Sequence, residues 1–371
     1  MGTIEFNHVS KTFPSGYEVI KELNLNIKEG DFVMFVGAPG AGKSTVLRMA
    51  AGLENPTGGE VRIDGELLRN IAPEDRSIAM VLQNYALYPK LTAYENIAFG
   101  LEQRGYAPDV IKKRVEETAK FFEIEDILKK KPKSLDAGER QRVALSRALI
   151  TNPKILILDE PLASFEPALR LRLREKIRES QRSSKRTVLY VTHNMDDAMF
   201  LATKIVVMKK GKVHQIGTPK EIYEHPKSLF VADFIGEPAI NLIDGKCETW
   251  GPKAYISTPI AELSFTPGID SKLVTRGYNG KVVVVGIRPD AFSYVEKGSP
   301  QEAKKHNIVK TKVFSAAFDN GKTWVRFEAG ECLYNALIET KEELKVGDSI
   351  TLKIDPDKIL VYDKKTKRIV M

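Results

Sequence analysis

Gly37-Ala38-Pro39-Gly40-Ala41-Gly42-Lys43-Ser44-Thr45 follows the unbroken apolar run Val33-Met34-Phe35-Val36 and precedes Val46-Leu47-Arg48-Met49-Ala50. The pattern is GxxxxGK[ST]. Alone it also fits an ordinary tight turn, so its setting matters more than its letters. A buried strand in front and an apolar helix behind predict a strand–loop–helix unit whose glycines let backbone N–H groups converge on one point. The helix adds the positive end of its dipole there. Such a nest suits a triphosphate: Lys43 is expected to span the β- and γ-phosphates and the Ser44 hydroxyl to ligate Mg²⁺.

Ile155-Leu156-Ile157-Leu158 and Val188-Leu189-Tyr190-Val191 are short continuous apolar runs of the same kind, as expected for parallel strands buried on both faces. Between them, Leu169 to Ser180 has helical periodicity and alternating charge, which completes a βαβ unit. The first run ends in Asp159-Glu160. Beside a phosphate loop, Asp159 is expected to hold Mg²⁺ through water and Glu160 to orient or deprotonate an attacking water. The plainer reading is a strand end with two solvated acids. His193 follows the second run, and a lone histidine at a strand end is more often structural than catalytic.

A helical insert over about 93–133 interrupts the α/β order. After Pro238 the character changes. Short strands such as Lys281–Ile287, Thr323–Phe327, Ser349–Ile354 and Ile359–Tyr362 are separated by Asn-Gly and Asp-Pro turns. This predicts an α/β domain over 1–237, with a helical subdomain at about 90–150, followed by a small β-barrel of oligonucleotide/oligosaccharide-binding (OB) type over 238–371.

The chain of 371 residues is 42% hydrophobic and 29% charged, in the range of globular domains. No apolar run approaches the roughly 20 residues that cross a bilayer, and Met1–Thr12 has no signal-like core. Cys247 and Cys332 have no metal or CxxC spacing and fit a reducing cytosol. The net charge of +8 is scattered among acids, so a nucleic-acid surface is not expected. The block Lys129-Lys130-Lys131-Pro132-Lys133 is read as a solvated helix end.

Leu135-Asp136-Ala137-Gly138-Glu139-Arg140-Gln141-Arg142 resembles the signature motif of the ATP-binding cassette (ABC) family, LSGGQ followed by a basic helix. Val81-Leu82-Gln83-Asn84-Tyr85 resembles that family's Q-loop, Ser164-Phe165-Glu166 its D-loop, and Thr192-His193 its switch histidine. The resemblance implies a phosphate-loop (RecA-like) nucleotide-binding domain that binds ATP and Mg²⁺. Its loop residues are Gly37, Ala38, Pro39, Gly40, Ala41, Gly42, Lys43, Ser44 and Thr45. Ser44, Gln83 and Asp159 are the implied metal set, and Glu160, His193 and Gln83 the implied catalytic set. Phe13 stands where the family stacks an aromatic on adenine; Tyr17 is the second candidate, and a core phenylalanine the plain alternative.

The segments Asn84–Thr92, Glu95–Leu101, Tyr190–Met199, Asp233–Gly236 and Gly286–Asp290 look like those of maltose-type carbohydrate importers. This implies an ATPase at the cytoplasmic face of the membrane, dimeric, docked on two permease subunits and served by an extracellular solute-binding protein. Importers of polyamine, iron, sulfate and glycerol phosphate share the pattern, so a sugar is the leading rather than the sole expectation. An ABC protein acting on ribosomes or DNA would carry two cassettes or a long coiled-coil insertion, and neither occurs.

Two departures fall on the half-site that such a subunit lends to its partner. Asp136 replaces the signature serine, and Phe165-Glu166 replaces Leu-Asp in the D-loop. Ala137 and Glu139 depart less, and Gly138 keeps the motif's glycine. Asp caps a helix as well as Ser does, but a carboxylate about 4 Å from a phosphate charge costs on the order of 4 kcal/mol at an effective dielectric near 20. An asymmetric heterodimer, or a non-hydrolysing regulatory subunit, is the alternative these changes raise.

Overall fold

The computed structural model describes residues 2–370 except 237, 267, 297, 302–304 and 331. Contacts divide it into two compact units, Met1–Lys220 and Glu221–Met371.

In the first unit a six-stranded sheet runs in the order Lys212–Gly217, Lys204–Lys209, Phe32–Val36, Thr187–Val191, Ile155–Asp159, Ile78–Val81. All neighbours pair in parallel except the edge hairpin 204–217. Phe32–Val36, Ile155–Asp159 and Thr187–Val191 are buried at every position, which is why their sequences are apolar without alternation. A four-stranded antiparallel sheet, ordered Glu18–Ile27, Ile4–Thr12, Gly58–Ile63, Glu66–Leu67, accompanies it. The helix Lys43–Ala50 contributes Val46, Leu47, Met49 and Ala50 to a core that also takes Phe6 and Ile20 from the second sheet and Val33 and Phe35 from the first. The phosphate loop is thereby clamped from both sides.

The expected insert forms the helices Ala93–Glu102 and Pro108–Phe122, and the signature run opens the helix Ala137–Ile150. The 18-residue helix Pro167–Ser184 links the strands Ile155–Asp159 and Thr187–Val191, completing the βαβ unit.

The second unit is two five-stranded antiparallel sheets around one core that includes Ile243, Ile256, Val285, Phe327, Leu352 and Val361. Asp319-Asn320-Gly321 closes the hairpin between Ile308–Asp319 and Lys322–Ala329, with Asn320 and Gly321 at φ 49° and 82°. Strands Asn241–Trp250 and Cys332–Ile338 and the short helix Ile269–Thr275 go beyond the expected elements.

The boundary differs from the expected 237/238. Arg288 donates to the Tyr223 carbonyl (3.1 and 2.7 Å) and to the Ile235 carbonyl (2.7 Å), and its guanidinium stacks on the Tyr223 ring at 3.8 Å. Tyr362 Oη donates to the Pro226 carbonyl. The helical stretch after residue 220 therefore belongs to the β-rich unit. The boundary expected from sequence rests on the change to short strands after Pro238, and a helical stretch just before that change falls on the α/β side.

Candidate functional site

Four parallel strands deliver the predicted residues at their carboxyl ends, where α/β sheets gather ligand sites. Phe32–Val36 leads into the phosphate loop, Ile78–Val81 into Gln83, Ile155–Asp159 into Glu160, and Thr187–Val191 into His193. Two loop positions strongly favour glycine. A Cβ on Gly37 (φ 156°) would lie 2.3 Å from the Met208 carbonyl oxygen, and one on Gly42 (φ 98°) 2.6 Å from Ile20 Cδ1. Gly42 is also the N-cap of the helix Lys43–Ala50, so its N–H groups face the loop.

Lys43 is 5% exposed, and its ammonium donates to the carbonyls of Gly37 (2.8 Å) and Ala38 (3.1 Å). Burial lowers its pKa, against the pull of Glu160 and Asp159. Ser44 Oγ donates to Asp159 Oδ1 at 3.1 Å. Burial pushes the Asp159 carboxyl up and the charge of Glu160 adds to that, while the Ser44 hydrogen bond opposes it. Ser44, Gln83 and Asp159 share a cleft of about 290 Å³ with Arg48, Leu82 and Asn84. Two hard oxygens in contact and a third polar group at one cleft suit a Mg²⁺ ion, which takes few protein ligands and keeps several waters. No cluster of three His, Cys, Asp or Glu competes as a metal site among the described residues.

At Glu160 the chain turns over at φ 50°, an uncommon conformation for a side-chain-bearing residue, and its N–H donates to the Val191 carbonyl at 3.0 Å. This turn presents Glu160 Oε1 to His193 Nε2 at 2.8 Å. Both side chains that were ambiguous in sequence are thus paired to each other. Phe13 is half-buried, with its ring against the first unit's core and Lys11 Nζ 5.5 Å from its centre, while Tyr17 is 58% exposed.

Asp136 caps the helix Ala137–Ile150 through a full capping box. Its Oδ1 accepts from the Glu139 N–H at 2.7 Å, and Glu139 Oε2 accepts from the Asp136 N–H at 2.8 Å. Lys130 Nζ stands 3.5 Å from Glu139 Oε1. The substituted D-loop residue Phe165 is buried against this motif: a Cβ on Gly138 would meet Phe165 Cε1 at 3.3 Å. Ala137, Ser164 and Glu166 are exposed. The signature and D-loop residues do not line the cleft that joins Ser44, Gln83 and Asp159.

Sequence reasoning missed three connections. Gln141, buried on the signature helix, donates to the Glu160 carbonyl at 3.2 Å. Arg147 donates to the carbonyls of Ala86 (2.8 Å) and Tyr85 (3.1 Å), two consecutive residues at positive φ just after Gln83. Tyr85 Oη lies 2.9 Å from Ser164 Oγ. All three pair residues 19 or more positions apart, and no local pattern encodes them.

The ABC transporter family matches residues 20–163, and the MalK OB fold domain family matches residues 236–292. The chain is 39% identical over 99% of its length, and 99% of the relative's, to the oligosaccharides import ATP-binding protein MsmX of Bacillus subtilis. The chain belongs to the ABC transporter ATP-binding family. It is also 40% identical to the sn-glycerol-3-phosphate import ATP-binding protein UgpC of Psychromonas ingrahamii, over 99% of this chain and 95% of that one. With the multiple sugar-binding transport ATP-binding protein MsmK of Streptococcus mutans the identity is 36%, covering all of both chains. Among solved structures it is similar to a dimeric ATP-binding cassette in a post-hydrolysis state with ADP and Pi (TM-score 0.56, 32% identity, 58% of this chain and 98% of that one). The expected α/β cassette with a C-terminal OB domain is therefore correct, and so is the expected activity. This ABC subunit binds ATP and couples its hydrolysis to transport.

Proposed function

We propose that this subunit energises uptake of a sugar or oligosaccharide through partner permeases. The observation that carries the reading is the end-to-end match to MsmX, 39% identical over 99% of both chains, an oligosaccharide import protein. The glycerol-phosphate reading is the second one, favoured by the 40% identity with UgpC. No described helix is long and apolar enough to cross a membrane. We assign the chain to the cytoplasmic face of the membrane, where it pairs with a second cassette and docks on two permease subunits served by an extracellular binding protein.

Within the site, backbone N–H groups of the loop 37–45, Pro39 excepted, hold the phosphates, Lys43 turns from its loop carbonyls to the β- and γ-oxygens, and Phe13 stacks on adenine. Ser44, Gln83 and Asp159 hold Mg²⁺, which when bound neutralises charge developing on the phosphates. Glu160 accepts the proton of the attacking water or orients it, and His193, 2.8 Å from Glu160, steadies that carboxylate and reaches the γ-phosphate. Asp136–Glu139 and Ser164–Glu166 complete the partner's site.

Two experiments test this. Purified protein should hydrolyse ATP, and Glu160→Gln should lower kcat at least about 100-fold, the usual weight of a general base, while ATP still binds. Uptake of labelled oligosaccharide should fall when the gene is deleted; loss of glycerol 3-phosphate uptake alone would select the second reading. An asymmetric pair is favoured by one observation, the exposed Asp136 at the motif lent to the partner. It is refuted by brisk homodimer turnover that Asp136→Ser leaves unchanged.

A further inference from the structure

His193 rests on little of its own. Its side chain is 47% exposed, and it enters the helix Met195–Leu201, seven residues that are too short to hold themselves. Besides the burial of Ala198 and Leu201, what holds this segment is a chain of bonds that brackets the histidine. The Asn194 N–H donates to Thr192 Oγ1 (3.0 Å), and Asn194 Oδ1 accepts from the Asp197 N–H (2.9 Å). Asp197, 1% exposed, then receives Arg170 through two nitrogens, Nη2 at 2.6 Å and Nε at 3.3 Å, with Arg174 Nη1 at 3.8 Å. The planar fork fixes direction as well as distance, which a point charge would not.

Arg170 is the fourth residue of the helix Pro167–Ser184, and its N–H donates to the carbonyl of Glu166, in the D-loop. Two residues before Glu166, Ser164 meets Tyr85 of the segment after Gln83. The Arg170–Asp197 pair therefore links the D-loop, and through Ser164 the segment after Gln83, to the stretch that carries His193. The same helix presents Arg174 and Arg178 to the Phe200 ring at 4.2 and 4.4 Å, which keeps the two helices from sliding past each other.

We infer that Arg170 and Asp197 form a positioning pair that holds the His193 imidazole against Glu160, so that the D-loop and the switch histidine move as one body. The inference rests on the reading of Glu160 and His193 given above. Contiguity alone does not demonstrate coupling, so the test reads the histidine directly. In Arg170→Lys, which keeps the charge and loses the fork, and in Asp197→Asn, kcat for ATP should fall about tenfold or more while KM and nucleotide affinity stay within twofold. Asp197→Glu should restore most of the rate. In histidine-labelled NMR spectra of the full chain, the ring resonance removed by His193→Ala should shift in the first two variants, and the other four histidines should not.

Because Asp197→Asn strips a buried pair, thermal melting is recorded for each variant, and Arg170→Lys answers if the asparagine variant does not fold. An unmoved His193 resonance with wild-type kcat in a folded variant overturns the proposal. So does a loss of rate that only tracks the folded fraction. Absence of ATPase activity in the wild-type protein would instead overturn the assignment of Glu160 and His193, and the NMR measurement would still decide the positioning claim.

Discussion

At Asp159 and Glu160 two adjacent carboxylates share one strand end and are treated oppositely by the fold. Asp159 is buried at 4% exposure and bonded to Ser44, whereas Glu160 is turned outward at φ 50° to meet His193. Burial holds the Asp159 carboxyl above its ordinary range. A folded-state value above the unfolded one means that the ionised form opposes folding at neutral pH. That opposition fades as the pH falls through the folded-state value toward the unfolded one. Asp159→Asn should therefore raise Tm at pH 7 relative to the wild type, and melting curves taken at decreasing pH should show the difference closing. The same substitution should abolish hydrolysis in a turnover assay, a site destabilised for function. The acidic pair was visible in the sequence as letters, but the pairing of Glu160 with His193 was not, because 32 residues of chain lie between them and only the parallel sheet brings their strand ends together.

The signature helix shows how one residue serves two scales. As a helix start, Asp136 is a good choice: the capping box with Glu139 satisfies two backbone N–H groups that the helix leaves open. Asp136→Ser should preserve the cap and leave Tm nearly unchanged. Asp136→Ala should cost about 1 kcal/mol, or roughly 2–4 °C for a unit of this size. Calorimetry on the two variants separates the cap from any effect on turnover, which only a dimer would show. Phe165 extends the point. Its burial against Gly138 makes the D-loop and signature departures neighbours within one chain. A Cβ on Gly138 would meet that ring at 3.3 Å, so Gly138→Ala should forfeit part of the about 1 kcal/mol that alanine gains over glycine in a helix, measurable as a Tm rise smaller than that gain alone would give. Sequence reasoning placed both departures on the lent half-site but could not see that Phe165 packs beside Gly138 of the signature run.

The division into two units at 220/221 puts the helical stretch 221–235 with the β-rich unit, held there by Arg288 and Tyr362. Arg288 is 5% exposed, and its guanidinium donates to the main-chain carbonyls of Tyr223 and Ile235 in that stretch. A fragment of residues 221–371 should unfold cooperatively on its own. A fragment that begins at residue 238, the boundary expected from sequence, would lose those carbonyls, open Arg288 to water and strip Leu229 and Ala232 from Val284 and Tyr362. It should be less stable by about 2–3 kcal/mol from the lost apolar burial, as urea unfolding of the two fragments would show.

By itself the sequence determined what short range can encode: the phosphate loop, the buried parallel strands, the helix caps, the Asn-Gly hairpin and hence the cassette fold and its family. These depend on periodicity and on residues within a few positions of one another. The tertiary structure alone decided which side chains meet. Glu160 with His193, Arg170 with Asp197, Tyr85 with Ser164, Phe165 with Gly138 and Arg288 with Tyr223 are all contacts across chain separations that no local preference specifies. They form because burying a strand on both faces fixes its ends in space, and a buried charge must find its partner wherever the chain has brought one.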